Sequence, residues 1–312
     1  MASSKKVKNI SLVEIFEETQ EFINNSDYLK ESIKNSIDHI SVSSGEPDEM
    51  SIEDMEYCFE LPCTRIKKKD KNIKVNISKG RTLDIAYKYA KTGNKKVAVL
   101  NFASAKHPGG QVENGSNAQE ESLCRVSTLY NVLSGSDKAR KEYYDFNVRN
   151  LNEYPLYSDK IIYSPDIVVF RPDVAYPNSF LPEDKWYKVD VITSPAPNLL
   201  RRLDKELITK EALYKTYVHR IEMMFTHAYL NGARILVLGA WGCGVFKNPP
   251  KLVAEAFADV CGRLGYAFDC IEFAIIDDNR GINNYKIFAD TIVEKAFDES
   301  SEWWNTFVVN CE

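Results

Sequence analysis

The sequence predicts an α/β protein: a three-layer α/β/α fold with a mixed, mostly parallel sheet and an N-terminal helical extension. Residues 96–103 and 234–240 are near-continuous apolar runs, which are typical of strands buried on both faces of a sheet. Segments with helical spacing of apolar residues lie between the strand segments, and this alternation indicates β-α-β units. With 312 residues, 44% of them hydrophobic, the chain can form one full core.

The order of the elements follows from local patterns. Residues 72–78 alternate apolar and polar side chains, as in a strand. Gly93 ends the helix that follows, and Pro165 interrupts a later strand segment. We predict strands at 72–78, 96–103, 161–170, 187–193, 234–240 and 271–276, and helices at 81–91, 119–133, 206–230, 252–264 and 283–297.

The first 50 residues are predicted to be separate from this pattern. Leu12, Ile15, Phe16 and Thr19 recur at helical spacing. Residues 41–50 are rich in Ser, Glu, Gly and Pro, which favours a linker. We therefore predict a helical extension and linker at 1–50 and a main domain at 55–312.

The composition argues against several partners. A net charge of −5 and a pI near 5.6 disfavour direct nucleic-acid binding, which usually requires a basic surface. No apolar run reaches the roughly 18 residues of a membrane span, so we expect no membrane partner. Seven irregularly spaced cysteines indicate free thiols in a reducing compartment, hence a cytoplasmic protein, and we also expect a monomer. The four histidines lack the spacing of metal ligands, and we expect neither metal nor cofactor.

A glycine-rich segment follows the first buried strand. This first loop (residues 104–118) contains Gly109, Gly110 and Gly115 and leads into a predicted helix. Glycines permit positive φ angles and a close approach of the backbone to a ligand. Because ligands of open α/β sheets bind beyond the carboxyl ends of the strands, backbone N–H groups here could hold an anion.

The helix after the first loop begins with two acids, Glu120 and Glu121. Leu123 and Val126 belong to its apolar face, so Glu121 is predicted to point towards the first loop. The alternative is that both acids only complement the helix dipole, with Asn117 as the N-cap. That dipole favours an ionised carboxylate, so a catalytic Glu121 needs burial or a nearby anion to keep a proton.

A second loop (residues 239–250) follows the second buried strand. Gly239, Gly242 and Gly244 lie within six positions, and the predicted helix begins after Pro249-Pro250. The loop lacks the P-loop pattern, and its glycines could equally serve a tight turn. Phe246 could wall a ribose or fill the core. Two loops at one sheet edge, each suited to phosphate, indicate a diphosphate ligand.

Both loops resemble those of the microbial-type poly(ADP-ribose) glycohydrolases, a branch of the macrodomain superfamily. The family pattern is three glycines, six to eight residues, and Gln-Glu-Glu. Here Gly109-Gly110-Gln111 is followed by seven residues and then Gln119-Glu120-Glu121. The resemblance covers roughly residues 60–290 and extends to segments 99–104, 121–125, 163–171, 196–198 and 238–246. It implies a macrodomain-like fold.

The resemblance also implies roles for individual residues. Glu121 is expected to be the catalytic acid and base, while Glu120, also counted as catalytic, positions the ribose hydroxyls. Residues 239–246 are expected to bind the diphosphate, and Phe246 to pack on the distal ribose. The expected substrate-binding residues are Asn101, Ser104, Gly109, Gly110, Gln111, Gln119, Gly239, Ala240, Gly242, Cys243, Gly244, Val245 and Phe246.

One departure from the family pattern leaves alternatives open. Gln111 stands where the family has its third glycine, so its side chain could narrow the cleft, favour a terminal or mono-ADP-ribosyl substrate, or disturb activity. We predict a hydrolase that cleaves ADP-ribosyl O-glycosidic bonds and releases ADP-ribose. The alternatives are a mono-ADP-ribosyl-protein hydrolase, for example on arginine, and a reader that binds ADP-ribose without cleaving it.

Overall fold

The computed structural model describes residues 10–43, 72–150, 156–200, 208–276, 282–298 and 307–311. Its strands form one mixed eight-stranded sheet in the spatial order β1-β4-β5-β3-β6-β7-β2-β8. The strands are β1 (Ser41–Val42), β2 (Ile73–Lys79), β3 (Val97–Phe102), β4 (Ile162–Val169), β5 (Tyr187–Ser194), β6 (Ile235–Leu238), β7 (Cys270–Ile275) and β8 (Phe307–Cys311). Only the β1–β4 and β4–β5 pairs are antiparallel, so the predicted mixed, mostly parallel sheet is confirmed.

Helices connect and cover the strands. They are α1 (Leu12–Asn24), α2 (Asp27–Asp38), α3 (Thr82–Ala90), α4 (Gln119–Val126), α5 (Leu129–Gly135), α6 (Asp137–Ala139), α7 (Asp145–Arg149), α8 (Lys210–Leu230), α9 (Pro250–Leu264) and α10 (Asn284–Ala296). A π-helical turn (Arg140–Tyr144) joins α6 to α7, and short 3₁₀ turns occupy Val112–Asn114, Glu183–Lys185 and Gly265–Ala267. None of the described helices is long and apolar enough to cross a membrane. The cytoplasmic location and the monomeric state stay predictions.

The core lies in two layers, one on each face of the sheet. Leu100 of β3 belongs to one buried cluster, together with Phe257 of α9 and Phe288 of α10, whereas its neighbour Val99 belongs to the other, together with Leu83 of α3 and Leu123 of α4. Successive side chains of a strand point to opposite faces, so an uninterrupted apolar run supplies both layers. The three-layer α/β/α arrangement is thereby confirmed.

The N-terminal helices α1 and α2 form as predicted, and α1 is fastened to the α4 layer by buried polar contacts. The Thr19 hydroxyl donates to the carbonyl oxygen of Arg125 at the end of α4, at 2.8 Å. The buried guanidinium of Arg171 donates to the Ile15 carbonyl at 2.9 Å and to the Glu18 carboxylate at 2.8 Å. The predicted boundary between extension and main domain, at residues 50–55, lies outside the described residues.

The predicted single helix at 119–133 is wrong, because the chain breaks between α4 and α5. Ser127 is extended (φ −146°, ψ 178°) and forms a β-bridge with Val169 at the end of β4. Its hydroxyl donates to the Leu123 carbonyl at 2.7 Å and accepts from the Leu129 N–H at 3.2 Å. A serine side chain that hydrogen-bonds neighbouring backbone groups can replace the backbone hydrogen bonds of a helix. Here Ser127 leaves the helix and pairs with the sheet instead.

Other elements also differ from the sequence prediction. Ser41–Val42 lie in the segment predicted to be a linker, but they form the edge strand β1. Strand β8 and the helical stretch after residue 136 are not among the predicted elements, because their sequences show no strong pattern. Strand β4 continues through Pro165 by means of a bulge, with the register shifting between Ser164 and Ile167. A bulge accommodates the missing N–H of proline, so the strand is bent rather than ended.

Thr19→Val is expected to destabilise the fold by about 1–3 kcal/mol, because it removes the hydroxyl that donates to the buried Arg125 carbonyl and one of the three acceptors of the Arg171 guanidinium. Thr216→Val is the matched control, since the Thr216 hydroxyl makes only a local, exposed bond to the Ala212 carbonyl. Urea unfolding of both variants measures the difference. Equal stability losses would show that the α1 contact is not important for the fold.

Candidate active site

The two loops lie side by side at the carboxyl edge of the parallel strands. The first loop follows β3 and the second follows β6, and these strands are paired neighbours in the sheet. The loops also touch at their origins: a Cβ atom on Gly239 would lie 2.9 Å from Cζ of Phe102 and 2.7 Å from the carbonyl oxygen of Ala274. The sheet therefore brings both sequence-predicted ligand loops to one place.

Glu120 is buried against the end of β3. Its carboxylate accepts from Nδ2 of Asn101 at 3.1 Å and from the N–H of Ser104 at 2.6 Å. Burial raises the pKa of Glu120 to about 8, against the opposing effect of these two hydrogen bonds. Three residues that the sequence placed in the site are thus in direct contact.

Glu121 has two different oxygen atoms. Oε1 accepts from the N–H of Gln111 at 3.0 Å, whereas Oε2 is buried and has no hydrogen-bond partner among the described residues. The prediction that Glu121 points towards the first loop is therefore confirmed. One oxygen is fixed by the protein and the other is available, as a group that exchanges a proton with a ligand requires.

The backbone of Gly110 lies directly against both carboxylates. Its φ is +62°, and a Cβ atom there would lie 2.5 Å from Oε1 of Glu121 and 3.1 Å from Oε2 of Glu120. Gly109 is equally constrained, with a φ of +67° and Tyr130 2.8 Å from its would-be Cβ. Both positions therefore require glycine for conformation and for space.

Gln111, by contrast, does not require glycine. Its φ of −116° is accessible to any residue, and its exposed side chain accepts a hydrogen bond from Nδ2 of Asn114 at 2.8 Å. What faces Glu121 is the Gln111 N–H. The departure from the family pattern is thus accommodated by a side chain that lies along the outside of the loop.

Gln119 joins α4 to β3. Its side-chain oxygen accepts from the N–H of Phe102 at 2.8 Å, and its side-chain nitrogen donates to the carbonyl of Leu100 at 2.7 Å and to the hydroxyl of Thr82 at 3.1 Å. Both ends of the amide are engaged with the protein. Gln119 therefore acts on the site by holding the two glutamates in register with the strand.

The second loop offers a row of free backbone donors. Among the described residues, nothing accepts a hydrogen bond from the N–H groups of Gly242, Gly244, Val245 and Phe246. Val245 is 60% exposed, and nothing lies within 4 Å of a Cβ atom placed on Gly244. Successive unpaired N–H groups form an anion-binding concavity, and this one leads into the N-terminus of α9. Of the other predicted members of this loop, Ala240 is half-buried and Cys243 is buried.

Sequence reasoning missed the polar side chains below the second loop. The guanidinium of Arg220, on α8, is buried and donates to Asp159 at 2.6 Å and to the carbonyls of Pro195 at 2.9 Å and Leu156 at 2.6 Å. It thereby fastens two further loops at the same edge of the sheet. The signal available in the sequence was an arginine within a long helix that is expected to pack against the core. A buried arginine is rare unless its charge is paired. No cluster of His, Cys, Asp or Glu in the described part of the chain could hold a metal ion.

The geometry agrees with comparisons to known proteins. The family model of the microbial-type PARG (poly(ADP-ribose) glycohydrolase) catalytic domain matches residues 13–172, a stretch that begins inside α1. Poly(ADP-ribose) glycohydrolase from Thermomonospora curvata, bound to the inhibitor ADP-HPD, is 32% identical with a TM-score of 0.73, covering 89% of this chain and 98% of that one. A second structure of poly(ADP-ribose) glycohydrolase from this organism is also 32% identical with a TM-score of 0.73, covering 90% of this chain and 98% of that one.

A second relative is the poly(ADP-ribose) glycohydrolase from Deinococcus radiodurans in complex with ADP-ribose. It is 28% identical with a TM-score of 0.67, covering 84% of this chain and 97% of that one. No curated protein shows a significant match. These similarities confirm the macrodomain-like fold, and they show that the chain belongs to the microbial-type poly(ADP-ribose) glycohydrolase family.

Proposed function

We propose that this protein hydrolyses the O-glycosidic bonds of poly(ADP-ribose) and releases ADP-ribose, with Glu121 as general acid and base. The observation that carries the assignment is the buried Oε2 of Glu121, which has no hydrogen-bond partner in the described part of the chain, next to an Oε1 that the Gln111 N–H holds in place. A protein that only binds ADP-ribose has no need for such an oxygen. Membership of a glycohydrolase family, with relatives bound to ADP-ribose, supports the choice of substrate.

The reaction follows from the two states of one carboxyl group. Protonated Glu121 gives its proton through Oε2 to the departing glycosidic oxygen as the bond to the ribosyl C1″ atom breaks. The ribose then carries oxocarbenium-like positive charge, which the diphosphate of the same ADP-ribose unit stabilises. Glu121, now ionised, takes a proton from a water molecule that attacks C1″, and this step restores the starting acid.

Glu120 binds the ribose and does not protonate the departing oxygen. One of its oxygen atoms accepts a hydrogen bond from Asn101 of β3 and the other from the Ser104 N–H at the start of the first loop, and its raised pKa keeps it protonated near neutral pH. A neutral carboxyl can donate a hydrogen bond to a ribose oxygen as well as accept one from a ribose hydroxyl. It also avoids placing a second negative charge beside Glu121 in a buried site.

The second loop supplies the diphosphate site in this proposal. Its unpaired N–H groups and the N-terminus of α9 provide positive electrostatic potential without a charged side chain. Phe246 is half-buried and its ring centroid lies 6.3 Å from that of Tyr157, which supports an aromatic wall for the distal ribose. The outward position of the Gln111 side chain supports polymer as the substrate.

Glu121→Gln is expected to lower the kcat for poly(ADP-ribose) by roughly 10²–10⁴-fold, because an amide cannot donate and then accept the proton. The Kd for ADP-ribose is expected to change little. Release of ADP-ribose and calorimetric binding are the measurements, with the exposed Glu142→Gln as matched control. Equal turnover of wild type and Glu121→Gln would refute the role of Glu121. Cleavage of mono-modified protein but not of polymer would favour the mono-ADP-ribosyl alternative.

Glu120→Gln is expected to flatten the pH dependence of stability. The pKa of Glu120 is raised on folding to about 8 from its ordinary value of 4.5, so between these pH values the folded state holds a proton that the unfolded state has lost. Stability is therefore full below pH 4.5 and falls as pH rises to 8, by at most about 1.4 kcal/mol per pH unit.

Urea unfolding at pH 5.5, 6.5 and 7.5 tests this expectation. The wild type should lose about 1 kcal/mol per pH unit more than Glu120→Gln, while Glu142→Gln should follow the wild type. If wild type and Glu120→Gln have parallel stability profiles, Glu120 does not take up a proton on folding.

A further inference from the structure

Asn248 belongs to the second loop, shortly before α9, and its side chain connects three parts of the fold. Its side chain is buried, and its Nδ2 donates to the carbonyl oxygens of Pro197 at 2.8 Å and Gly242 at 3.0 Å. Its Oδ1 accepts from the hydroxyl of Tyr217 on α8. One amide thereby joins the second loop, the loop after β5 and the long helix.

The contact with Gly242 determines which groups the second loop presents. The Gly242 carbonyl accepts twice from Asn248, from Nδ2 at 3.0 Å and from the backbone N–H at 3.1 Å. This carbonyl is therefore held inside the protein. A carbonyl oxygen turned towards an anion would repel it, whereas the free N–H groups of the loop attract it.

Space at this turn is also fixed by Asn248. Gly242 has a φ of +73°, and a Cβ atom there would lie 2.5 Å from Nδ2 of Asn248 and 2.5 Å from Cβ of Ala196. Position 242 must therefore be glycine for the turn to lie this close to the Asn248 amide. The position of the turn also depends on the amide staying in place.

Tyr217 fixes the amide from below. It is completely buried, and its ring packs edge-to-face on that of Trp241, with centroids 6.1 Å apart. Burial raises the pKa of Tyr217, so its hydroxyl keeps the proton that it donates to Oδ1 of Asn248. The two carbonyl oxygens require the NH₂ end of the Asn248 amide, and the tyrosine hydroxyl requires its oxygen end. The amide therefore has a single orientation.

We propose that Tyr217 and Asn248 form a positioning pair that sets the shape of the second loop and thereby the affinity of the site for the diphosphate of ADP-ribose. The proposal rests on the function proposed above. Neither residue touches Glu121 or Glu120 in the described hydrogen-bond network, so the pair acts on binding and leaves proton transfer unchanged. Its loss should raise KM and Kd much more than it lowers kcat.

Tyr217→Phe tests the pair, because it removes one hydroxyl and keeps the ring. We expect the Kd for ADP-ribose and the KM for polymer to rise about three- to tenfold, with kcat within about twofold of wild type. Tyr163→Phe is the matched control. Tyr163 is as deeply buried and its hydroxyl donates to Asp190, which pairs with Lys96 near the amino end of β3. It should lose similar stability without any change in Kd.

Calorimetric titration with ADP-ribose gives Kd even if hydrolysis is absent, so the two proposals can fail separately. Wild-type Kd in folded Tyr217→Phe, or an equal rise in Tyr163→Phe, overturns the positioning role, whatever the activity. Binding without turnover in the wild type overturns the proposed hydrolysis alone. If Tyr217→Phe does not fold, Asn248→Ser is measured in the same way, and an unchanged Kd in that variant also overturns the role.

Discussion

The active site depends on one close approach, between the backbone of Gly110 and the carboxylates of Glu120 and Glu121. No side chain fits at position 110, and this closeness lets the next N–H, that of Gln111, reach Oε1 of Glu121. Other contacts keep the two sides of this approach together. Gln119 holds α4 on β3, and the buried guanidinium of Arg125 holds the end of the first loop through the Ser116 carbonyl at 2.5 Å.

This arrangement gives the two adjacent acids different surroundings and, in the proposed mechanism, different roles. Glu120 is buried, each of its oxygens accepts a hydrogen bond, and in the proposed mechanism its raised pKa makes it a neutral partner for the ribose. Oε2 of Glu121 has no hydrogen-bond partner among the described residues, and in the proposed mechanism this oxygen exchanges the proton. In the proposed site the second loop attracts the diphosphate with backbone dipoles rather than side-chain charge, which is how a protein with a net charge of −5 would bind an anionic polymer.

Much of this arrangement could be predicted from local sequence, and the remainder depends on contacts distant in the chain. Apolar runs indicated β3 and β6, and glycines followed by a helix indicated the two loops. The bond that extends Ser127 comes from β4, about 40 residues away. Asn117 does not cap α4, because its side chain accepts from Arg125 while Ala118 occupies the cap. The Asn248 contacts cross 31 residues to Tyr217, and no local pattern reveals them.

The most direct test of the account is kcat for Gly110→Ala compared with Gly93→Ala. Gly93 has nearly the same φ, +64° against +62°, but nothing lies within 4 Å of its would-be Cβ. Both variants should lose about 1–2 kcal/mol of stability from the strained backbone. The account predicts that only Gly110→Ala loses kcat on poly(ADP-ribose), by at least about 100-fold, as expected for a displaced general acid. Wild-type kcat in a folded Gly110→Ala protein would contradict it.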